Sequence, residues 1–330
     1  MIYGVSDEES RLNVNTALPE ELAKLDGMTP DVVAAIIDWR DADNEVTPGG
    51  AEAEYYSSLP RPYLPRNGPL QTTRELLMVR GVSRELLLGD GANQDESSDL
   101  DESVGNNVFD GGWSDILTVD STVRNVNAAG DKRVNIQTGG ETALTGIKGI
   151  TPEIAKAIIA YRAQKQLENV ADLLDVTAPQ NQNQPGARRN ASQNGQPPSG
   201  PKVISEELFL DIADDVTAQT GSDLPGVINI NTASLAVLKC LPGLTPELAQ
   251  AIISYRQSNG YFANIAWLLR VPGMNQQIFK QLAPRLSARS ETFRIFSEGK
   301  VGSTGARQRI EVIVHVGLHD VDTLSYREDL

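Results

Sequence analysis

Three windows of equal length decide the fold: residues 12–40, LNVNTALPEELAKLDGMTPDVVAAIIDWR; residues 134–162, VNIQTGGETALTGIKGITPEIAKAIIAYR; and residues 228–256, ININTASLAVLKCLPGLTPELAQAIISYR. They align without a gap. Val14-Asn15-Thr16, Ile136-Gln137-Thr138 and Ile230-Asn231-Thr232 open them. Gly27, Gly149 and Gly243 then stand at one distance, each followed by a Thr-Pro pair and, at the window's end, by Arg40, Arg162 and Arg256. One register recurring three times marks a repeated supersecondary unit.

Within each window two helices are predicted. The threonine of the opening triplet (Thr16, Thr138, Thr232) is expected to cap the first helix. Leu22 and Leu25, Leu144 and Ile147, and Leu238 and Leu241 sit three apart and so share a helical face. The glycine stops that helix in a left-handed conformation. Thr29-Pro30, Thr151-Pro152 and Thr245-Pro246 start the next one, threonine as cap and proline at the first helical position. Val32, Val33, Ile36 and Ile37, with their counterparts at 154, 155, 158, 159 and at 248, 249, 252, 253, form one buried stripe. The terminal arginines suit the carbonyl end of a helix.

A second hairpin follows the third window, through Ala266-Trp267-Leu268-Leu269, Val271-Pro272-Gly273-Met274 and Ile278, Phe279 and Leu282. Glu75 to Val82 supplies one after the first window. After the second, Val170-Ala171-Asp172-Leu173-Leu174 begins the same way and runs into polar sequence. The expected division is a first strand at 1–11, a helical unit with an acidic loop insertion at 12–89, an acidic linker and strand-like connection at 90–132, an extra hairpin unit at 133–178, a flexible linker at 179–201, a last helical unit at 202–289, and closing strands with a tail at 290–330. The parts 89–107 and 179–201 have the composition of mobile linkers.

Composition narrows the function. A chain of 330 residues is expected to form more than one packed unit. Its net charge of −15 opposes a role resting on phosphate neutralisation. Cys240 is the one cysteine and, in an apolar helical stretch, reads as a buried small hydrophobe. No apolar run is long enough to span a bilayer, and residues 1–5 lack the basic and apolar regions of a signal peptide. No nucleophile with a base, open metal site or phosphate loop has workable spacing, so no enzyme and no catalytic residue is expected.

Helix-hairpin-helix units often bind nucleic acid through two glycines that present backbone N–H groups to phosphate. Here the turns read Gly27-Met28-Thr29, Gly149-Ile150-Thr151 and Gly243-Leu244-Thr245, with Asp26, Asp31, Glu153 and Glu247 beside them. The second glycine is lost and the flanks are acidic, so the hairpins read as scaffold. A nucleic-acid-binding adaptor is the alternative.

The first unit carries an insertion with Trp39-Arg40-Asp41-Ala42-Asp43-Asn44 and Gly49-Gly50-Ala51-Glu52-Ala53-Glu54-Tyr55-Tyr56. Several hard oxygen donors on a turn-rich loop suit calcium. Asp41, Asp43 and Glu52 are the expected metal ligands, with Asn44 and Glu54 as further donors; a solvated acidic loop is the plainer reading. At the far end, residues 293–297 and 310–316 read as two strands joined at Gly302-Ser303-Thr304-Gly305, and residues 2–5 as a third that joins them. A hairpin alone is marginal in water, and this sheet's apolar face lacks a covering element. His315 and His319 read as edge or surface residues.

Residues 7–16, Trp39 to Asp43, Gly50-Ala51-Glu52 with Tyr55-Tyr56, and Pro62-Tyr63 through Asn67-Gly68-Pro69-Leu70 to Glu75-Leu76 closely resemble the minor pseudopilin K family of type II secretion systems. Residues 227–316 look like that family's second helical repeat and closing strands. The resemblance implies an α+β fold: a small antiparallel pseudopilin sheet with a large inserted all-α domain of helix-hairpin-helix (SAM-like) repeats. It implies a non-enzymatic role in protein export at the pseudopilus tip, with minor pseudopilins I and J as partners and secreted protein substrates as a further class. It also implies an N-terminal inner-membrane helix outside this sequence, which would cover the sheet, and a periplasmic location for this part. Calcium is associated with the family. The hairpin unit between the usual two departs from its pattern.

Overall fold

The computed structural model describes residues 2–89, 112–178 and 200–328. Most of 90–132 and 179–201, read above as linkers, therefore lies outside the described residues. The chain divides into two units, one of residues 1–123, 225–250 and 289–330, the other of residues 124–224 and 251–288.

The first unit holds a four-stranded antiparallel sheet: β1 (Ile2–Asp7), β2 (Thr292–Lys300), β3 (Arg307–Val316) and β4 (Val321–Glu328), adjacent in that order. Asp7 stands opposite Phe293. The helical sequence between them is thus an insertion after the first strand. Val5, Ile295, Val312 and Tyr326 lie in one cross-strand row, and Val5, Ile295 and Tyr326 are exposed. Arg294 faces Glu311 at 3.4 Å and Arg309 faces Glu298 at 2.8 Å on the opposite side of the pleat. β4 falls where the sequence reads as a tail. It is a charged edge strand, a device that discourages further strand pairing, and a register shift between Ile313 and Val314 loosens its alternation.

The hairpins form as predicted in most respects. The second helices are Pro30–Arg40, Pro152–Arg162 and Pro246–Asn259. Thr29, Thr151 and Thr245 cap them, their side chains accepting from the amides of Val32, Ile154 and Leu248 at 3.3, 3.4 and 3.2 Å. Gly27, Gly149 and Gly243 have φ of +76°, +99° and +72°, which a side chain would strain.

The first helices, Pro19–Leu22, Glu141–Thr145 and Leu235–Cys240, correct the expected capping. Leu18, Gly140 and Ser234 stand at the cap, not Thr16, Thr138 and Thr232. The opening turn belongs instead to Asn13, Asn135 and Asn229, whose side-chain oxygens accept from the amides of Asn15, Gln137 and Asn231 at 2.9, 2.8 and 2.9 Å. These Asx turns satisfy the amide just ahead of each threonine, and the helix cap falls two residues beyond it. The terminal arginines also do more than face their own helix end. Arg40 donates to the carbonyls of Val14 and Ala17, and Arg162 to Ile136 at 2.8 Å, tying helix two to the start of its unit.

In the second unit of the fold, the hairpin begun by Val170–Asp175 closes across residues 179–199. Ala178 donates to Pro201 and Val203 to Val176, both at 3.0 Å. The chain then enters the helix Glu206–Ile212, capped by Ser205. Leu208 of that helix lies against Gly149, as Leu86 of Arg84–Leu88 lies against Gly27. Each hairpin pair ends in a short parallel pairing, Leu12 with Leu117 and Val134 with Val216. Phe209 and Phe279 meet edge to face in this unit's core.

Candidate metal centre

The site grows from the end of helix Pro30–Arg40. Asp38 lies one turn before Asp41, so the two carboxylates share a side of the chain as the helix ends. The loop then turns through Thr47 and Gly50 and returns Glu52 as the cap residue of Ala53–Ser57. Asp38 and Glu52 are buried and Asp41 half-buried. Each places one carboxylate oxygen within 4.8 Å of those of the other two.

The loop is braced from several directions. The Thr47 amide donates to both Asp38 oxygens at 3.2 and 3.3 Å. Gly50 lies against the same carboxylate. Trp39 packs edge-on against Tyr56 and Tyr63 and donates through Nε1 to Glu75 at 3.0 Å. Arg66 also binds Glu75. Burial would raise the Glu75 carboxyl, but hydrogen bonds from Arg66, Gln71 and Trp39 outweigh it and hold it below the usual range. Arg80 donates to the Gly50 carbonyl at 2.9 Å and lies over the Tyr55 ring.

Charge inside the site is unbalanced. Burial pushes the Asp41 carboxyl up, and Asp43 and Asp38 add to it; burial likewise pushes up Glu52, with Asp38 and Asp41 adding. Asp41 Oδ1, both Glu52 oxygens and Asn67 Oδ1 are buried without a hydrogen-bond partner. Unpaired buried oxygens cost free energy unless a proton or cation meets them. An all-oxygen set of this kind matches the hard-donor preference of calcium.

Of the residues expected from the sequence, Asp41 and Glu52 come together. Asp43 stands outside the group of three: the helix ends at Arg40, and the exposed Asp43 carboxylate turns outward to accept from the Glu45 amide at 2.8 Å. Glu54 is exposed, and Asn44 accepts from Asn67 Nδ2 at 3.0 Å. Asp38 escaped sequence reasoning because Ile37 and Trp39 flank it in an apolar helix. Its spacing of three from Asp41 was the available signal. Cys240 is buried as read, with its thiol pushed up to about 12 by burial. No helix of the described residues is long and apolar enough to cross a membrane.

Comparison with known proteins places these elements. Residues 6–88 match the family described as type II secretion system (T2SS), protein K. Residues 130–178 and 226–287 match the helix-hairpin-helix motif. A rat protein, endonuclease/exonuclease/phosphatase family domain-containing protein 1, is 28% identical over 161 residues, which are 48% of this chain and 28% of that protein. ComE operon protein 1 of Bacillus subtilis is 30% identical over 84 residues, 26% of this chain and 41% of that protein. The chain thus spans well under half the length of these curated relatives. Among solved structures, the GspK-GspI-GspJ complex of the enterotoxigenic Escherichia coli type 2 secretion system matches with a TM-score of 0.49 at 13% identity, over 99% of this chain and 79% of that one. Residues 6–88, which begin in the sheet's first strand and carry the carboxylate site, are thus the part of the chain that is similar to protein K of type II secretion systems.

Proposed function

We propose that this chain is the periplasmic part of a minor pseudopilin K that acts by assembly, without catalysis, at the tip of a type II secretion pseudopilus together with minor pseudopilins I and J. The observation that carries this reading is the protein K domain at residues 6–88, inserted between β1 and the three strands that complete the sheet. An N-terminal helix anchored in the inner membrane would cover the apolar row of Val5, Ile295 and Tyr326. Secreted proteins are a further class of partner for the tip.

Asp38, Asp41 and Glu52 would hold Ca²⁺, with Asn67 Oδ1 beside them. The bound ion supplies positive charge that lets three carboxylates ionise side by side. Its part here is to fix the loop from Asp41 to Tyr56 on the helix that precedes it. A nucleic-acid adaptor is not favoured: the hairpin threonines spend their side-chain oxygens capping helices, and acidic residues flank the turns.

Mixing the soluble domains of K, I and J tests the assembly. A ternary complex on size exclusion, formed by no pair of incompatible stoichiometry, is the expected outcome; three independent peaks would sink it.

A further inference from the structure

Three consecutive acids end the sheet's first strand and open the helical insertion, and together they hold three stretches of the first unit. The Asp7 carboxylate accepts from Thr232 Oγ1, from Ser290 Oγ at 2.6 Å, from Asn229 Nδ2 at 3.4 Å and from the Glu9 amide at 2.8 Å. Glu8, fully buried, pairs with Arg294 through both oxygens at 2.8 and 3.2 Å, accepts from Thr118 Oγ1, and has Arg11 at 3.9 Å. Glu9, also fully buried, sets one oxygen on the Thr122 amide and the other on the Thr292 amide, both at 3.1 Å. Residues 290–294 lead from the insertion back into the sheet, while residues 118–122 and 229–232 belong to the insertion. The acids therefore tie the insertion to the strand that closes it.

Glu8 and Glu9 differ in how their charge is met. Arg294 compensates Glu8, whereas Glu9 faces two backbone amides, the Thr292 hydroxyl and the Asp7 carboxylate. Burial pushes Glu9 up to about 8; the bonds from Thr292 oppose this, and Asp7 adds to it both by charge and by a side-chain hydrogen bond. Charged or titratable groups on the packed elements include Arg11, Asp120, Arg124, Arg289, Glu291, Arg294, Glu311 and His315. His315 Nδ1 lies 3.4 Å from Thr292 Oγ1 and its Nε2 lies 3.8 Å from Glu291. Arg11 and Arg294 are both set on Glu8.

We propose that Glu9 is a proton-operated latch between the sheet and the helical insertion, closed while a proton lies between Glu9 and Asp7 and slackened when both carboxylates are ionised. A folded-state value above the unfolded one means the fold binds this proton more tightly. The latch's contribution is then present at the acidic side and is lost as pH rises through the folded value. Ionised, Glu9 keeps its two amide donors but sets an uncompensated buried charge against Asp7, and the segments carrying Thr122 and Thr292 separate more readily.

The test is hydrogen exchange on the whole chain from about pH 6.5 to about pH 9, corrected for the intrinsic rate. Protection of the Thr122 and Thr292 amides should fall by roughly tenfold per unit of pH below the folded value and level off above it. Glu9→Gln should flatten that fall, because the amide donates to Asp7 and still accepts from one backbone N–H. His315→Asn should leave the fall in place. An equal fall in wild type and Glu9→Gln would overturn the latch, as would its loss in His315→Asn. If Glu9→Gln does not fold, carboxyl carbon-13 titration of the wild type decides: a Glu9 midpoint near 8 supports the latch, and one below about 5, the ordinary carboxylate range, overturns it.

Discussion

Gly50 lies so close to the Asp38 carboxylate that a Cβ on it would collide with the Asp38 oxygen. The glycine lets the loop backbone cover a buried acid on the preceding helix. Gly50→Ala should therefore push Asp38 out of the group, destabilising the protein by about 1–3 kcal/mol as an overpacked position does. Melting curves with and without Ca²⁺ check it, and the calcium increment should shrink with the substitution. An Ala variant that keeps the full increment would show that Asp38 is not held from this side.

Calcium at Asp38, Asp41 and Glu52 should raise the melting temperature, with stabilisation of about 2.7 kcal/mol at a hundredfold excess over Kd. Asp38→Asn and Glu52→Gln should each abolish most of that increment. Asp43→Ala should keep most of it, since its carboxylate turns outward to the Glu45 amide. Differential scanning calorimetry in EDTA and in Ca²⁺ distinguishes the three variants. Loss in Asp43→Ala together with retention in Asp38→Asn would reverse the assignment.

The same site carries a pH dependence. Burial and neighbouring acids raise both Asp41 and Glu52 above their ordinary values. In metal-free protein their contribution is thus greatest in acid and declines as pH rises through the folded values. Calcium must displace whatever protons they hold, so its affinity should climb with pH across that window. Calorimetric titration in buffers of different ionisation enthalpy reads the released protons. No buffer dependence at mildly acidic pH would contradict the raised values.

Arg40 and Arg162 should be structural residues of one kind. Each runs back from the end of its helix to carbonyls at the start of its own unit. Arg40→Met and Arg162→Met keep much of the apolar stem but remove charge-assisted bonds of about 1.5–3 kcal/mol. Urea denaturation should show a loss of that order for each. A loss of a few tenths would leave only the interaction with the helix's own carbonyl end.

The hairpins were legible because repetition filters noise: a glycine at one offset from a Thr-Pro pair, three times over, leaves little choice of turn. The Asx turns at Asn13, Asn135 and Asn229 were equally repeated, yet the threonine three residues on competes for the same reading. β4 was not legible because an edge strand exposes both faces and mixes charge into its alternation. In the carboxylate site, Asp41 and Glu52 stood out on a polar loop, while Asp38 was masked by its apolar helical neighbours. Asn67 enters through a left-handed φ of +48°, a feature of the folded loop that residue spacing does not carry. The helix Glu206–Ile212 belongs to a hairpin begun before residue 179, and local patterning cannot see across such an interval.

Ala178 and Pro201 join across the base of this hairpin, so its core is assembled from two separate stretches of chain, Val170–Asp175 and Glu206–Ile212. Ending the chain before residue 200 would therefore strip the cover from Leu173 and Leu174, which are buried, rather than remove an independent piece.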